Sequence, residues 1–330
     1  MQKIPVKLLG RDRSEHHKNI SQTLGALELI NKHEKDDGVT FIEEGHKYYI
    51  DGVKTRSSCT GMVGELFKAV DSFQLARYKM MGKAYKNGEC VESGMSMHEI
   101  VAHWKIIGKQ SADLGTEMHA NIEFLLNART IGNEKTFEFI DGSVDAQMIT
   151  FETWWNDFCS KDVNAKTRLI PYRTEWLVYD KSIMLAGSID ALFKSRGPLT
   201  DNPHIIRCEN DEKGDYADGE VRYHLLDWKR SKEINKKSKE SGADKYSKIP
   251  NSKLINCNFG HYSLQLNIYR KVIESYGMRV ASMALVVIHP NFEGYKMYSC
   301  PFLDLEADYV IKNGDRLANA IDSKKSKMKW

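Results

Sequence analysis

The sequence predicts an α/β (α+β) fold in which helices flank a mixed central sheet and a mainly helical part precedes that sheet. Helical spacing of apolar residues dominates the first half of the chain, and strand-like apolar runs dominate the second half. The later elements follow the order of three strands, helix, two strands and helix, which favours a sheet covered by helices. The predicted strands are 173–179, 183–193, 224–228, 283–289 and 295–300, and the predicted helices are 70–85, 96–128, 144–159, 262–276 and 305–323.

A chain of 330 residues, 28% charged and 41% hydrophobic, is large enough to bury one elaborated core. We expect an N-terminal arm at 1–40 and a single domain at 41–330. Within that domain, 41–160 forms a hairpin and a mainly helical part, and 170–330 forms the sheet with its flanking helices. No apolar run approaches the roughly 20 residues that span a membrane. Residues 1–19 lack the apolar stretch of a secretory signal.

These features predict a soluble intracellular protein of the cytoplasm, the nucleoid or a viral replication site, without membrane association and not secreted. Two local signals refine the fold. Asp51-Gly52 is a turn signal, which predicts a hairpin over 41–53. The long helical pattern at 96–128 is expected to divide into two helices near Ser111.

The six cysteines contain no CxxC pair, and this spacing argues against a zinc ribbon. It also argues against an iron–sulfur cluster, which needs closely spaced cysteines. We therefore expect free thiols in a reducing compartment. The cysteines are Cys59, Cys90, Cys159, Cys208, Cys257 and Cys300.

Basic residues are concentrated in two segments, although the net charge is only +3. Residues 229–253 contain nine Lys/Arg and three Asp/Glu, a local balance of 9 − 3 = +6. Residues 323–330 contain four lysines and no acid. Such runs attract a phosphate backbone, although many lysine-rich loops are only solvated. The DNA-binding candidates in the first segment are Arg230, Lys232, Lys236, Lys237 and Lys239.

Two acids follow apolar runs that are typical of buried strands, so each acid should lie near a strand end. Asp190 ends the segment Gly-Ser-Ile-Asp, and Asp227 precedes Trp228 and Lys229. Alternate side chains of a strand share a face, so Asp227 and Lys229 should point the same way with Trp228 opposed. Carboxylates on adjacent strands repel unless a cation lies between them, and hard oxygen ligands suit Mg²⁺ or Mn²⁺. Such a cation can polarise a phosphodiester and activate water, while Lys229 orients that water.

Two helical patterns supply further polar candidates. Gly115, His119 and Glu123 are spaced i, i+4 and i+8, so they share one helix face. His119 can reach a metal there, and Glu123 can add an acid or a supporting hydrogen bond. Gln265 and Tyr269 share a face at i, i+4 and can contact phosphate or water, although Tyr269 also suits core packing.

In order, these patterns read G-x-x-x-H-x-x-x-E, G-x-x-D, D-x-K and Q-x-x-x-Y, which resembles the RecB-like branch of the PD-(D/E)xK nucleases. The resemblance covers about residues 40–300. Glu175 matches an acid that those families often carry before the G-x-x-D element. The hairpin followed by residues 57–60, and residues 100–104 ahead of Gly115, are similar to lambda-type viral and phage exonucleases and to the mitochondrial genome maintenance exonuclease family.

The resemblance implies a restriction-endonuclease-like core with a helical N-terminal elaboration. It implies that His119, Asp190, Asp227 and the carbonyl of Trp228 bind Mg²⁺ or Mn²⁺. Lys229 would then activate water, supported by the residues Glu175, Gln265 and Tyr269.

The expected function is metal-dependent DNA hydrolysis in replication, recombination or repair, by an exonuclease that acts on ends. A structure-specific or flap endonuclease, an inactive nuclease-like DNA-binding module, and a nucleic-acid scaffold that uses only the basic loop are the alternatives. A homo-oligomer or a replication or recombination partner is compatible with each reading. The sequence departs from the family in separating Asp190 from Asp227 by 37 positions. We interpret 196–219 as an acidic insertion, which raises the question of substrate access.

Overall fold

The computed structural model describes residues 23, 25–81, 94–132, 144–199 and 202–327. Within them the helices are α1 (Ala26–Ile30), α2 (Cys59–Glu65), α3 (Ser72–Met81), α4 (Met97–Thr130), α5 (Asp145–Phe158), α6 (Asn258–Ser275), α7 (Asp304–Lys312) and α8 (Gly314–Lys327). The strands are β1 (Val39–Ile42), β2 (Lys47–Ile50), β3 (Val53–Lys54), β4 (Ser57–Ser58), β5 (Ile170–Asp180), β6 (Leu185–Ser195), β7 (Ile205–Ile206), β8 (Arg222–Lys229), β9 (Val280–Val287) and β10 (Lys296–Cys300). Outside the described residues lie 1–22, 24, 82–93, 133–143, 200–201 and 328–330. The start of the predicted arm, Cys90, the end of the predicted helix 70–85 and the end of the basic tail fall there.

A seven-stranded mixed sheet forms the centre of the protein, in the order β4-β6-β8-β9-β10-β7, with β5 on the other edge of β6. The β6–β8 and β9–β10 pairs are antiparallel, whereas the β8–β9 pair is parallel. Every residue of β9 is buried, as expected for a central strand with helices on both faces. The predicted mixed α/β fold with a helix-flanked sheet is therefore confirmed.

Strand β6 has a gap along the edge that faces β8. Its ladder with β4 covers Leu185 and Ala186, and its ladder with β8 begins at Ala191, which pairs with Leu226. Residues 187–190 fall between these two ladders. The backbone of residues 187–190 therefore has no strand partner on this edge, and side chains from neighbouring elements can contact it there.

Two hydrophobic clusters cover the two faces of the sheet. One contains Ile189, Leu225 and Leu285 with residues of α2, α6, α7 and α8. The other contains Leu226, Trp228 and Val286 with residues of α1, α4 and α5. Consecutive residues of β8 thus face opposite clusters, as strand geometry requires.

Helix α4 is one continuous helix, so the predicted break near Ser111 is wrong. A capping box formed by Ser96 and Glu99 fixes its start, and the segment contains no proline that would interrupt the hydrogen-bond ladder. Its core-facing residues begin at Met118 and recur at helical spacing through Ala128. The preceding half packs against α3 around Ala76, Ile100 and Val101.

The predicted C-terminal helix is divided into α7 and α8. Asn313 ends α7, and Gly314 begins α8 against Ile183. A Cβ atom at position 314 would lie 2.6 Å from the Cβ of Ile183, so glycine permits this close approach. The spacing of apolar residues along the chain cannot predict this contact, because Gly314 and Ile183 are distant in sequence.

The hairpin is present as β1, β2 and β3, and the predicted turn at Asp51-Gly52 joins β2 to β3 with φ angles of 48° and 78°. No helix in the described part of the chain combines the length and apolarity that crossing a bilayer requires. The acidic insertion leaves β6 at Ser195 and returns at Arg222. Those residues pair with each other four positions beyond the Ala191–Leu226 pair, roughly 14 Å along the strands. The insertion therefore joins the strand ends remote from Asp190 and Asp227.

A buried ion pair fastens residues 25–38 to the sheet. The guanidinium of Arg173 donates to both carboxylate oxygens of Asp36 at 2.8 and 3.1 Å, and Trp176 Nε1 donates to the same carboxylate at 2.8 Å. The two charged side chains are only 4% and 5% exposed. Burial raises the pKa of Asp36, but the bonds from Arg173, His33 and Trp176 outweigh it and lower the pKa overall.

We predict that Asp36→Asn lowers the free energy of unfolding by roughly 3–5 kcal/mol, because it leaves Arg173 buried without a counter-charge. Asp37→Asn is the matched control. The Asp37 carboxylate is 85% exposed and should contribute within about 0.5 kcal/mol. Urea unfolding at neutral pH measures both values, and equal losses in the two variants would contradict the role given to Asp36.

The same pair sets a pH dependence. Because the folded-state pKa of Asp36 is lowered, its contribution is present above the unfolded pKa and is lost as pH falls through the folded pKa. The stability difference between the parent and Asp36→Asn should therefore narrow below about pH 4.

Candidate metal centre

The two predicted acids meet at the gap in β6. Asp190 lies in the middle of β6, not at a strand end as expected, but it is the last residue before the ladder with β8 begins. Asp227 lies on the adjacent strand β8, two residues before that strand ends. The adjacency of the two strands is as predicted, and the 37 intervening positions do not prevent it.

The peptide unit of Trp228 links Asp190 to His119. Its backbone N–H donates to Asp190 Oδ2 at 3.0 Å, and its carbonyl accepts from His119 Nε2 at 2.8 Å. The indole packs edge-on against Phe151 and Trp154 of α5, with ring centroids 5.7 and 4.9 Å away. The aromatic packing thus fixes the backbone that orients both polar side chains.

His119 presents its other ring nitrogen to two carboxylates. Nδ1 lies 3.5 Å from Asp190 Oδ2 and 3.9 Å from Glu175 Oε1. Ligand atoms of these three residues all lie within 4.8 Å of one another. Because Nε2 donates to the carbonyl of Trp228, the neutral ring has its free lone pair on Nδ1, facing the acids. The Trp228 carbonyl, which the family resemblance implies to be a metal ligand, already uses one lone pair to accept from His119.

Glu175 reaches the cluster through a strained backbone. Its φ angle is 43°, a left-handed conformation within a β-strand, and such a residue costs of order 1–3 kcal/mol. Ser188 donates to its Oε2 atom at 2.9 Å. The left-handed backbone directs the Glu175 side chain, and this hydrogen bond helps to hold its carboxylate beside His119.

Lys229 lies beside Asp227, as strand alternation predicts. Its Nζ is 2.5 Å from Asp227 Oδ2 and 4.6 Å from the centroid of the Tyr262 ring. Burial lowers the pKa of Lys229, but the carboxylates of Asp227 and Asp190 outweigh it and raise the pKa. Lys229 is therefore a cation at neutral pH and a hydrogen-bond donor, not a base.

The electrostatics of the cluster show how closely its groups interact. Burial and the Asp227 carboxylate raise the pKa of Asp190 to about 7. Burial lowers the pKa of His119, but the carboxylates of Asp190 and Glu175 outweigh it and raise the pKa to about 9. Without another cation, His119 is thus protonated at neutral pH and itself compensates the acids.

The residues present fit a divalent cation. With neutral His119, the three carboxylates and Lys229 sum to −3 + 1 = −2, which one dication neutralises. Asp227 Oδ2 is buried, and among the described residues its one cationic neighbour within 4 Å is the Lys229 ammonium, at 2.5 Å. Oxygen ligands with one imidazole suit Mg²⁺ or Mn²⁺. Glu175, Asp190 and His119 would hold the ion, with Asp227 facing the same gap.

The supporting candidates lie around this centre. Gln265 Nε2 donates to Tyr269 Oη at 3.4 Å, and Tyr269 is buried. The Tyr269 hydroxyl occupies the space of a Cβ atom at Gly187, at 2.5 Å, which explains the glycine of the G-x-x-D pattern. Tyr269 therefore packs beneath β6. Glu123 lies one helical turn beyond His119 and is half-buried.

Two residues that contribute to this centre were not predicted from the sequence. Ser188 holds Glu175, and Tyr262 lies beneath Lys229. Tyr262 precedes Gln265 by three residues, and that helical spacing could have identified it. Among the DNA-binding candidates, Arg230 is half-buried beside the site. The exposed lysines are Lys232, Lys236, Lys237 and Lys239. Of the predicted thiols, the five described cysteines are free.

The chain matches no protein-family model and no curated protein.

We predict that His119→Ala raises the Mn²⁺ or Mg²⁺ concentration for half-maximal thermal stabilisation by about tenfold or more. Asp113→Asn, an exposed acid on the same helix, is the matched control and should titrate as the parent does. In the parent, a ligand role requires His119 to lose its proton. Cation affinity should therefore rise as the pH increases toward about 9, above the range near pH 7 in which Asp190 loses its own proton. His119→Ala should flatten that rise, and an unchanged profile would remove His119 from the ligand set.

Proposed function

We propose that this protein is a Mg²⁺- or Mn²⁺-dependent deoxyribonuclease with the RecB-like PD-(D/E)xK core expected from its sequence pattern. The observation that carries the proposal is the cluster of Glu175, Asp190 and His119 at the gap in β6. The ion pair of Asp227 and Lys229 lies on the adjacent strand β8. Three carboxylates and one lysine form a constellation suited to a phosphodiester, whose substrate oxygens and reaction intermediates are anionic.

A divalent cation held by this centre would supply the positive charge that stabilises a phosphodiester during hydrolysis. Lys229 stays protonated and donates hydrogen bonds to a water molecule or a phosphate oxygen at the gap. Asp227 holds the ammonium in position from one side and the Tyr262 ring from the other. In this reading, the protein contributes preorganised charge at the point where negative charge develops.

The surface around the gap supports a nucleic-acid substrate. The loop after β8 carries Arg230, Lys232, Lys236, Lys237 and Lys239 directly beyond Lys229. These five cations outnumber the two acids of residues 230–240, and one of those acids, Glu240, is paired with Lys68. Phosphate contacts from such a loop hold a strand without reading its sequence.

The α3–α4 pair favours action on ends. Helix α4 extends from His119 back to Met97, about 33 Å at 1.5 Å per residue. The exposed basic residues of this pair are Arg77, Lys79, Lys105 and Lys109. In the proposed mode of action, a strand end passes between this pair and the basic loop to reach the gap. We therefore favour exonuclease over endonuclease action.

We predict that Asp227→Asn reduces cleavage of linear DNA in Mg²⁺ to less than a tenth, a barrier increase above about 1.4 kcal/mol, while DNA binding persists. Asp218→Asn, an 89% exposed acid of the insertion, should cleave at the parent rate. Gel assays in Mg²⁺ and in EDTA measure cleavage, and anisotropy measures binding. Parent protein that binds DNA but never cuts it would instead support the inactive binding module.

We also predict that covalently closed circular DNA resists the protein while the same DNA, linearised, is degraded. The expected selectivity arises because a closed circle offers no end to pass between the α3–α4 pair and the basic loop. Single-stranded and double-stranded circles are compared with their linear forms over one time course. Equal rates would replace the exonuclease proposal with the endonuclease alternative.

A further inference from the structure

An aromatic pair with a lysine lies on the same face of the sheet as Asp227. The Phe259 and Tyr298 ring centroids are 6.5 Å apart with planes tilted by 58°. The ammonium of Lys236 lies 4.7 Å from the Phe259 centroid and 5.4 Å from that of Tyr298. Both rings are half-buried and Lys236 is exposed. The rings are thus partly packed against the protein, and the exposed lysine lies over their remaining surface.

Hydrogen bonds fix the basic loop to the start of α6 at this point. Asn235 N–H donates to the side chain of Asn258 at 2.7 Å, and Phe259 N–H donates to the carbonyl of Asn235 at 3.3 Å. Lys236 is therefore placed next to Phe259 by its own backbone. Within the described residues, no carboxylate forms an ion pair with Lys236. Its positive charge is available to an anion.

Sheet register gives the distance to the metal centre. Asp227 pairs with Leu285 on β9, and Leu285 pairs with Tyr298 on β10. Two strand spacings place Tyr298 roughly 10 Å from Asp227. A stacked strand rises about 3.4 Å per nucleotide, so the aromatic pair lies within about three nucleotides of a phosphate at the gap.

Helix α6 connects the two places. Phe259, Tyr262 and Gln265 recur at three-residue spacing and so share one helix face. Tyr262 lies beneath Lys229, and Phe259 lies beneath Lys236. At two successive positions along this face of α6, therefore, an aromatic ring lies beside a lysine of β8 or of the loop that follows it.

We infer that Phe259, Tyr298 and Lys236 form a subsite for one unpaired nucleotide of a DNA strand. The base stacks on the Phe259 ring, with Tyr298 as the adjoining wall, and Lys236 binds the phosphate of that nucleotide. Stacking of a base on an aromatic ring is stronger than an exposed cation–π contact, so the base can displace the ammonium toward the phosphate. This inference rests on the proposed DNA hydrolysis and names single-stranded DNA as the strand that reaches the centre.

Base pairing would prevent this contact. The face of a base in a duplex is covered by its stacked neighbours, whereas an unpaired base offers its face to a ring. A duplex would gain only the phosphate contact with Lys236, which is independent of strand pairing. The subsite therefore discriminates between single and double strands through Phe259.

The test compares binding of a fluorescein-labelled oligothymidine with binding of a hairpin-closed duplex, by anisotropy in EDTA so that nothing is cut. Phe259→Leu should weaken single-strand binding roughly 5- to 150-fold and duplex binding less than about twofold. Phe259→Trp should bind as the parent does. The matched control is Tyr172→Leu, which removes another half-buried ring beneath a lysine, Lys194, at the remote end of β6.

Two further readouts make the test decisive. A 2-aminopurine base moved along the oligonucleotide should be quenched within about three nucleotides of the strand end in the parent and not in Phe259→Leu. If Phe259→Leu melts at a lower temperature, Tyr298→Leu, which removes the adjoining wall, carries the comparison of the two DNAs. Lys236→Gln should lower the log–log salt slope by about 0.7–0.9 for both DNAs. Unchanged single-strand binding, or equal losses for both DNAs in the ring variants, overturns the subsite even where Mg²⁺-dependent cleavage persists. Quenching without any cleavage supports the subsite and overturns the proposed hydrolysis.

Discussion

Mutual repulsion among three carboxylates is the constraint on which the centre depends. Glu175, Asp190 and Asp227 face one gap between two ladders of β6, where burial makes each negative charge costly. His119 and Lys229 offset two of these charges and leave one uncompensated. A neutral His119 leaves two, the charge of one dication. The centre is thus poised to exchange a proton for a cation.

Much of the surrounding structure holds these charges in place. The Trp228 indole packs among the aromatic rings of α5, while its peptide unit bonds to Asp190 and His119. Glu175 adopts a left-handed conformation, which is unfavourable in a strand and must be offset by the surrounding structure. Aromatic packing and this imposed backbone conformation therefore keep the mutually repelling carboxylates close to His119.

The outer surface complements this centre with positive charge and aromatic rings. The loop after β8 is fixed to the start of α6 by Asn235 and Asn258. The acidic insertion leaves the sheet at strand ends remote from Asp190 and Asp227, but its strand β7 pairs with β10 at Tyr298. Part of the insertion therefore borders the proposed nucleotide subsite, where Arg207 lies 3.6 Å from the carboxylates of Asp211 and Glu212 and offsets part of their charge.

The sequence by itself determined the elements whose signals are local. Apolar periodicity identified five of the seven strands of the central sheet, and alternation placed Asp227 and Lys229 on one face, because both signals depend on neighbours along the chain. The two-residue strands β4 and β7 are too short to produce such a signal. Tertiary structure decided the continuity of α4 through Ser111, the division at Gly314 against Ile183, and the position of Asp190 in mid-strand. It also decided that Glu175 joins His119 and Asp190, and that Tyr262 lies beneath Lys229. These contacts join residues distant in sequence, and their energies depend on packing and burial that no local pattern contains.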